Sequence, residues 1–218
     1  MAIVKSGRLT GKVGNTVYYM RNGIQYARAL PKSTKHEPSP AQRAQRLRMK
    51  LVMKFVSPLA PMLNNTFRPG NRKLSGVNKA VRHALRAEAV EGVFPDLYLQ
   101  PEKVLVSSGI LPTMRRPQLV LDGVGNATLT WYRTSVIDDD DLAFMLLYNV
   151  NNGRGQLAGG DTYRTQERLT VKLNEEILRG TTHAYGFMMD RLRRSASDSV
   201  FLGTLVDGVL EGPKGGTP

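Results

Sequence analysis

Seven basic side chains recur at spacings that could do chemistry together. Arg43, Arg46, Lys50 and Lys54 follow one another at intervals of three, four and four residues, and Lys79, Arg82 and Arg86 at three and four. On a helix the first set falls within about 80° of arc, a narrow cationic row able to meet successive phosphates or carboxylates. Each phosphate met this way releases counterions and makes binding salt-dependent. The competing role of each row is a solvated face whose lysine and arginine stems cover apolar surface. A third cluster, Tyr18, Tyr19 and Tyr26 beside Arg21 and Arg28, has the composition of a base-stacking platform, or else of the small core of a hairpin. No helix-turn-helix, zinc-finger or RNP pattern accompanies these residues, so nothing supports sequence-specific reading of nucleic acid.

Other strings imitate reactive sites without their working parts. Gly7 to Val13 is one residue short of a phosphate loop between its glycines, and no Ser or Thr follows Lys12 to hold magnesium. Gly153 to Gly159 has the wrong glycine spacing for a dinucleotide turn and reads as a flexible loop between strands. The run Asp138 to Asp141 could gather a hard cation, yet it lacks the glycine and distal glutamate of a calcium loop. It reads as a solvated loop, or as a contact for a cationic partner. His36, His83 and His183 have no paired ligand spacing, and the chain has no cysteine. No serine sits in a nucleophile elbow and no carboxylate pair stands out for hydrolysis. The expectation is a protein that is not an enzyme and uses no cofactor or metal.

The elements that must position these residues follow from punctuation and periodicity. The Asn22-Gly23 pair, set between β-branched and aromatic runs, predicts a hairpin over 12–30, with a short strand before it at 6–10. A polar connector leads to Ser39-Pro40, an N-cap followed by proline at the first helical position. A helix over 41–56 is predicted to be buried around much of its circumference, Met49 and Met53 included. A second helix runs from Ser75 to about Val90. Beyond residue 103, short period-2 segments predict strands near 104–107, 118–121, 127–132, 142–149, 168–173, 183–190 and 199–204. Tyr185, Phe187 and Met189 form an inward row of that body.

Charge divides the 218-residue chain in the same place. Residues 1–99 carry 18 Lys and Arg against four acids, a net of +14, while residues 100–218 carry 13 against 14, a net of −1. Such a split points to an anion-binding part joined to a neutral one. The longest polar-free run, Leu142 to Tyr148, is seven residues, too short to span a bilayer. The first eight residues contain no apolar h-region, so a secretory signal is not expected and the chain reads as cytoplasmic or virion-borne. The predicted organisation is a basic hairpin-plus-helices region at 1–99, an all-β sandwich at 100–211 and a flexible tail at 212–218.

Two resemblances sharpen this. Trp131, Tyr148, Leu178, Gly180 and Tyr185 give the second half a pattern that resembles a fibronectin type III or related immunoglobulin-like domain. The last three resemble a tyrosine corner, in which a phenol hydroxyl bonds back to crossing backbone. Lys5-x-Gly7, Gly11-Lys-Val-Gly-Asn15, Pro31 and Pro40-x-x-x-Ala44-Gln45 together resemble an uncharacterised family of small basic Bacteroidota proteins. That resemblance transfers no catalytic residues and implies a cytoplasmic or phage-associated protein. The expected fold class is therefore α+β, an N-terminal β-hairpin plus helices followed by an immunoglobulin/fibronectin III-like sandwich. The expected role is a non-catalytic structural or assembly protein, for instance a phage virion component, oligomeric or particle-bound and without membrane contact. Its basic half would dock on DNA, RNA or an acidic subunit through the seven cations, while its sandwich contacts other protein subunits. The alternatives are a free nucleic-acid-binding protein using phosphate contacts and a surface adhesion or carbohydrate-binding module.

Overall fold

A computed structural model describes residues 2–5, 8–21, 23–32, 37–67, 74–122, 124–133 and 140–211. The chain falls into two units, residues 1–39 and 40–218. The first is an antiparallel meander of β1 (Ala2–Lys5), β2 (Arg8–Val13), β3 (Thr16–Arg21) and β4 (Ile24–Ala29). Arg21 pairs with Ile24, and Gly23 at φ 80° takes the left-handed geometry a two-residue hairpin needs. Asn22 lies outside the described residues. None of this unit's described side chains is buried, and β4 is exposed from end to end.

The second unit opens with α1 (Pro40–Val56), a 3-10 turn (Ser57–Leu59), α2 (Ala60–Thr66) and α3 (Gly76–Arg86). Ser75 caps α3, its hydroxyl accepting from the Asn78 N–H at 3.3 Å. Gly76 has no room for a side chain, because a Cβ there would collide with the Leu63 carbonyl of α2. The helix ends at Arg86 rather than near Val90: Glu88 turns left-handed at φ 51°, and the chain enters a hairpin of β5 (Val90–Val93) and β6 (Asp96–Leu99).

The remaining elements are β7 (Arg115–Leu121), β8 (Asn126–Tyr132), β9 (Leu142–Asn149), β10 (Arg154–Tyr163), β11 (Arg168–Lys172), the one-turn α4 (Glu175–Leu178), β12 (Thr181–Met189), β13 (Val200–Val206) and β14 (Val209–Glu211). They form a three-stranded sheet β11-β8-β7 and a sheet β10-β9-β12-β13 that β14 extends. This division of seven strands is the fibronectin III-like sandwich arrangement, and the fold class is α+β.

The helices belong to this body. All eight residues of β9 are buried. Leu142, Phe144, Leu146 and Tyr148 join Val52, Phe55, Val56 and Leu63 of the helices in one core. Ala143, Met145 and Leu147 face Leu129 and Trp131 of the three-stranded sheet in another. A strand covered on both faces reads as an unbroken apolar run, which accounts for 142–148. The division expected between residues 99 and 100 thus cuts through a shared core, and the boundary lies at Ser39–Pro40 instead.

Four further expectations change. Tyr185, Phe187 and Met189 face the helical layer, whereas Ala184 and Met188 face the sandwich interior. Residues 104–107 are buried irregular chain, pinned where the Ser199 hydroxyl accepts from the Val106 N–H and the Ser107 hydroxyl donates to the Ser197 carbonyl. Of the loop expected at 153–159, residues 154–159 belong instead to the edge strand β10, paired with β9. The tyrosine corner is not formed: the Tyr185 hydroxyl donates to the Pro101 carbonyl at 2.9 Å. Asn149 ties down that corner instead, its amide donating to the Glu176 and Arg179 carbonyls at 2.9 and 2.6 Å.

Candidate functional site

The cationic rows lie where helical periodicity puts them. The buried residues of α1 are Val52, Phe55 and Val56, and at 100° per residue their sector lies opposite Arg43, Arg46, Lys50 and Lys54. All four are exposed. The helix is less buried than expected, for Met49 is 42% exposed and no residue before Val52 is buried. In α3 the buried side is Gly76, Ala80, Val81 and Ala84, leaving Arg82 and Arg86 exposed. Lys79 is diverted: its ammonium donates to the Phe67 carbonyl at 3.1 Å and so caps the end of α2.

The charge on these helices is not cancelled nearby. Residues 40–86 hold 11 Lys and Arg and no Asp or Glu. Among the described residues, no carboxylate forms an ion pair with Arg46, Lys50, Lys54, Arg82 or Arg86. Lys54 also lines a cleft of about 580 Å³ with Leu51, Phe55, Tyr148, Asn151 and His183. Burial lowers the His183 imidazole from 6.5 to about 4, and its Nδ1 lies 3.0 Å from the Thr204 hydroxyl. It is therefore neutral at pH 7, adds no charge to the rows, and is a half-buried residue with its hydrogen bond met. His36 lies outside the described residues.

Most other polar groups of the core hold backbone or one another in place, although the buried His83 Nδ1 and Arg164 Nη1 have no hydrogen-bond partner. Thr66 donates to the Val106 carbonyl at 2.7 Å, Thr182 to that of Ile177 at 2.7 Å, and the Ser197 hydroxyl accepts from the Met188 N–H at 2.9 Å. Asp141, the last of the acidic run, is not solvated. It is buried against Arg164, whose Nε and Nη2 donate to its Oδ2 at 3.2 and 2.8 Å. Asp138 and Asp139 lie outside the described residues. Among the described residues no cluster of three His, Asp or Glu is placed to hold a metal, and no helix is long and apolar enough to cross a membrane.

The aromatic cluster of the first unit is split by its strand. Tyr18 pairs with Ala27 and Tyr19 with Tyr26, so Tyr18 stands on one face and Tyr19 and Tyr26 on the other. Those two rings stack at 5.5 Å with 18° between their planes, and the Arg28 guanidinium lies 5.8 Å from the centre of Tyr19. Arg21 shares that face. So does Lys12, which the sequence reading left out although its pairing with Val17 follows from the same alternation.

Against known proteins, the profile of a family of unknown function, DUF6266, matches residues 7–203. No curated protein matches. Among solved structures, the fibronectin type III domain of the human collagen alpha-1(XX) chain is similar at 12% identity and a TM-score of 0.34, over 50% of this chain and 96% of that one.

Proposed function

The chain belongs to the DUF6266 family of unknown function, and we propose that it is a non-catalytic assembly protein, a component of a larger particle such as a phage virion, that docks on a polyanion through the outer sides of α1 and α3. The observation that carries this reading is the helical segment 40–86, with 11 cations and no acid, whose rows are turned away from the core. A surface that only needed solubility would intersperse both signs. The non-catalytic part draws support from the buried hydroxyls, amide and carboxylate, which hold backbone and one another in place. The sandwich supplies the rigid body that presents the helices.

The test is isolation of the native complex with and without nuclease, followed by native mass measurement. Binding lost on nuclease treatment identifies nucleic acid as the polyanion, and binding that survives identifies an acidic subunit. A variant with Arg46, Lys50, Lys54, Arg82 and Arg86 changed to Gln should lose the association. For duplex nucleic acid these five charges correspond to about 4 to 5 units of the slope of log affinity on log salt. A partnerless monomer, or a variant that associates like the parent protein, overturns the proposal.

A further inference from the structure

We propose that the N-terminal sheet is a binding face for single-stranded nucleic acid, with Tyr19 and Tyr26 as the base-stacking platform and Lys12, Arg21 and Arg28 as phosphate contacts. The inference concerns a different unit from the α1 and α3 rows and does not depend on them.

The two faces of this sheet differ in kind. Register places Gly11, Val13, Thr16, Tyr18, Met20, Gln25, Ala27 and Ala29 on one face, where no charge occurs. On the other stand Lys12, Val17 and Arg28 in one row across the strands, Tyr19 and Tyr26 in the next, and Arg21 with Ile24 in the third. Rows two residues apart along a strand are separated by about 7 Å, so cations flank the ring pair on both sides at a distance a sugar-phosphate backbone can follow.

The open ring surface favours a single strand over other polyanions. The rings are 39% and 41% exposed although they stack on each other, so aromatic surface remains open beside the pair. A paired duplex presents its phosphates but keeps its base faces stacked inside, and an acidic peptide has no flat π-surface to lay on tyrosine. Unpaired bases have both, and stacking on aromatics is sequence-tolerant because every base offers a π-face. Charge is complementary as well, since residues 1–39 hold seven Lys and Arg against the single acid Glu37.

The experiment uses the full chain and fluorescein-labelled 20-mers of dT and rU, with a blunt duplex for comparison, read by anisotropy across a salt series. Single strands should bind more tightly than duplex. Tyr19→Leu with Tyr26→Leu keeps an apolar cross-strand pair but removes the π-faces, and should weaken single-strand binding roughly five- to hundredfold. Tyr19→Phe with Tyr26→Phe keeps the rings and should bind within about twofold of the parent, which controls for folding. Lys12, Arg21 and Arg28 changed to Gln should lower the salt slope by about two, at about 0.7 per phosphate on a single strand. The same single-strand preference should persist in the five-residue Gln variant of α1 and α3, which separates this face from the helical one. Equal affinity for duplex and single strand overturns the proposal. So does a Leu variant that binds like the parent, or a self-association that the Leu variant abolishes while oligonucleotide binding is absent.

Discussion

Replacing Phe55 with alanine asks whether the helical layer and the sandwich fold as one. Phe55 is 6% exposed and meets Tyr148 of β9 edge-on, ring centroids 5.0 Å apart. Truncating a buried phenylalanine costs about 3–5 kcal/mol, lost transfer energy plus the cavity left behind. The reporter is built in. Trp131, the chain's one tryptophan, lies in the other core, between the two sheets, with its indole N–H donating to the Arg164 carbonyl at 2.9 Å. The two cores share β9 and β12, so the destabilisation at Phe55 must reach Trp131. With an m-value of about 2 kcal/mol per molar urea, the midpoint of Trp131 fluorescence should fall by about 2 M. The thermal midpoint should drop by about 10 °C. Far-UV circular dichroism should follow the same curve. Early loss of helical signal with an unmoved Trp131 transition would refute the shared-core argument and restore an independent helical domain.

Two further outcomes follow from buried groups. His183 titrates at about 4 when folded against 6.5 when unfolded, so the unfolded chain takes up its proton first; the associated stability is complete above pH 6.5, declines as pH falls toward 4, and totals about 3 kcal/mol. His183→Gln should flatten that part of the pH profile in urea unfolding, and an unchanged difference between variant and parent across the window would exclude the histidine as the cause. Asp141→Asn removes the counter-charge of a guanidinium that is 3% exposed and whose Nη1 already lacks a hydrogen-bond partner, at a cost of about 3–5 kcal/mol. Pairing Asp141→Leu with Arg164→Met should recover much of the loss, and additive losses in a double-mutant cycle would contradict the pairing.

What could be read from the sequence was local. The hairpin turn, the Pro40 start of α1, the start of α3 at Ser75 and the apolar run of β9 each rest on a few adjacent residues, and each is in the structure. Strand β10 escaped because its glycines, Gly155, Gly159 and Gly160, have loop composition. It is an edge strand with an irregular register between Gly159 and Tyr163, and its partner on one side carries the pairing. Alternation correctly sorted the residues of β12 into two faces, but it could not say which layer covers which face. That depends on α1, more than 120 residues earlier in the chain. The tyrosine corner failed for the same reason, since Tyr185 is satisfied by Pro101, 84 positions away. The site followed this pattern too: helical spacing located the rows, whereas the diversion of Lys79 to Phe67 required α2 and α3 to be docked.

Whether the basic rows can act on a partner turns on where the chain spends its carboxylates. An acid elsewhere in the chain could have folded back to neutralise them. Instead the acids staple their own surroundings. Asp122 accepts from the Val124 and Asn126 N–H groups and the Asn126 amide at 3.1, 2.7 and 2.6 Å, which holds its carboxyl below the usual range. Glu91 is held low by Lys103 at 2.7 Å, Glu176 meets Arg154, and Asp198 accepts from the Ser108 hydroxyl and the Gly109 N–H. Asp207 accepts from the Gly180 N–H and Asp190 from that of Ser195. Each of these bonds fixes a turn or loop end of the second unit, and none reaches Arg46, Lys50, Lys54, Arg82 or Arg86. The second unit uses these acids to hold its own turns and loops, and among the described residues the field of Arg46, Lys50, Lys54, Arg82 and Arg86 is left uncancelled by any carboxylate.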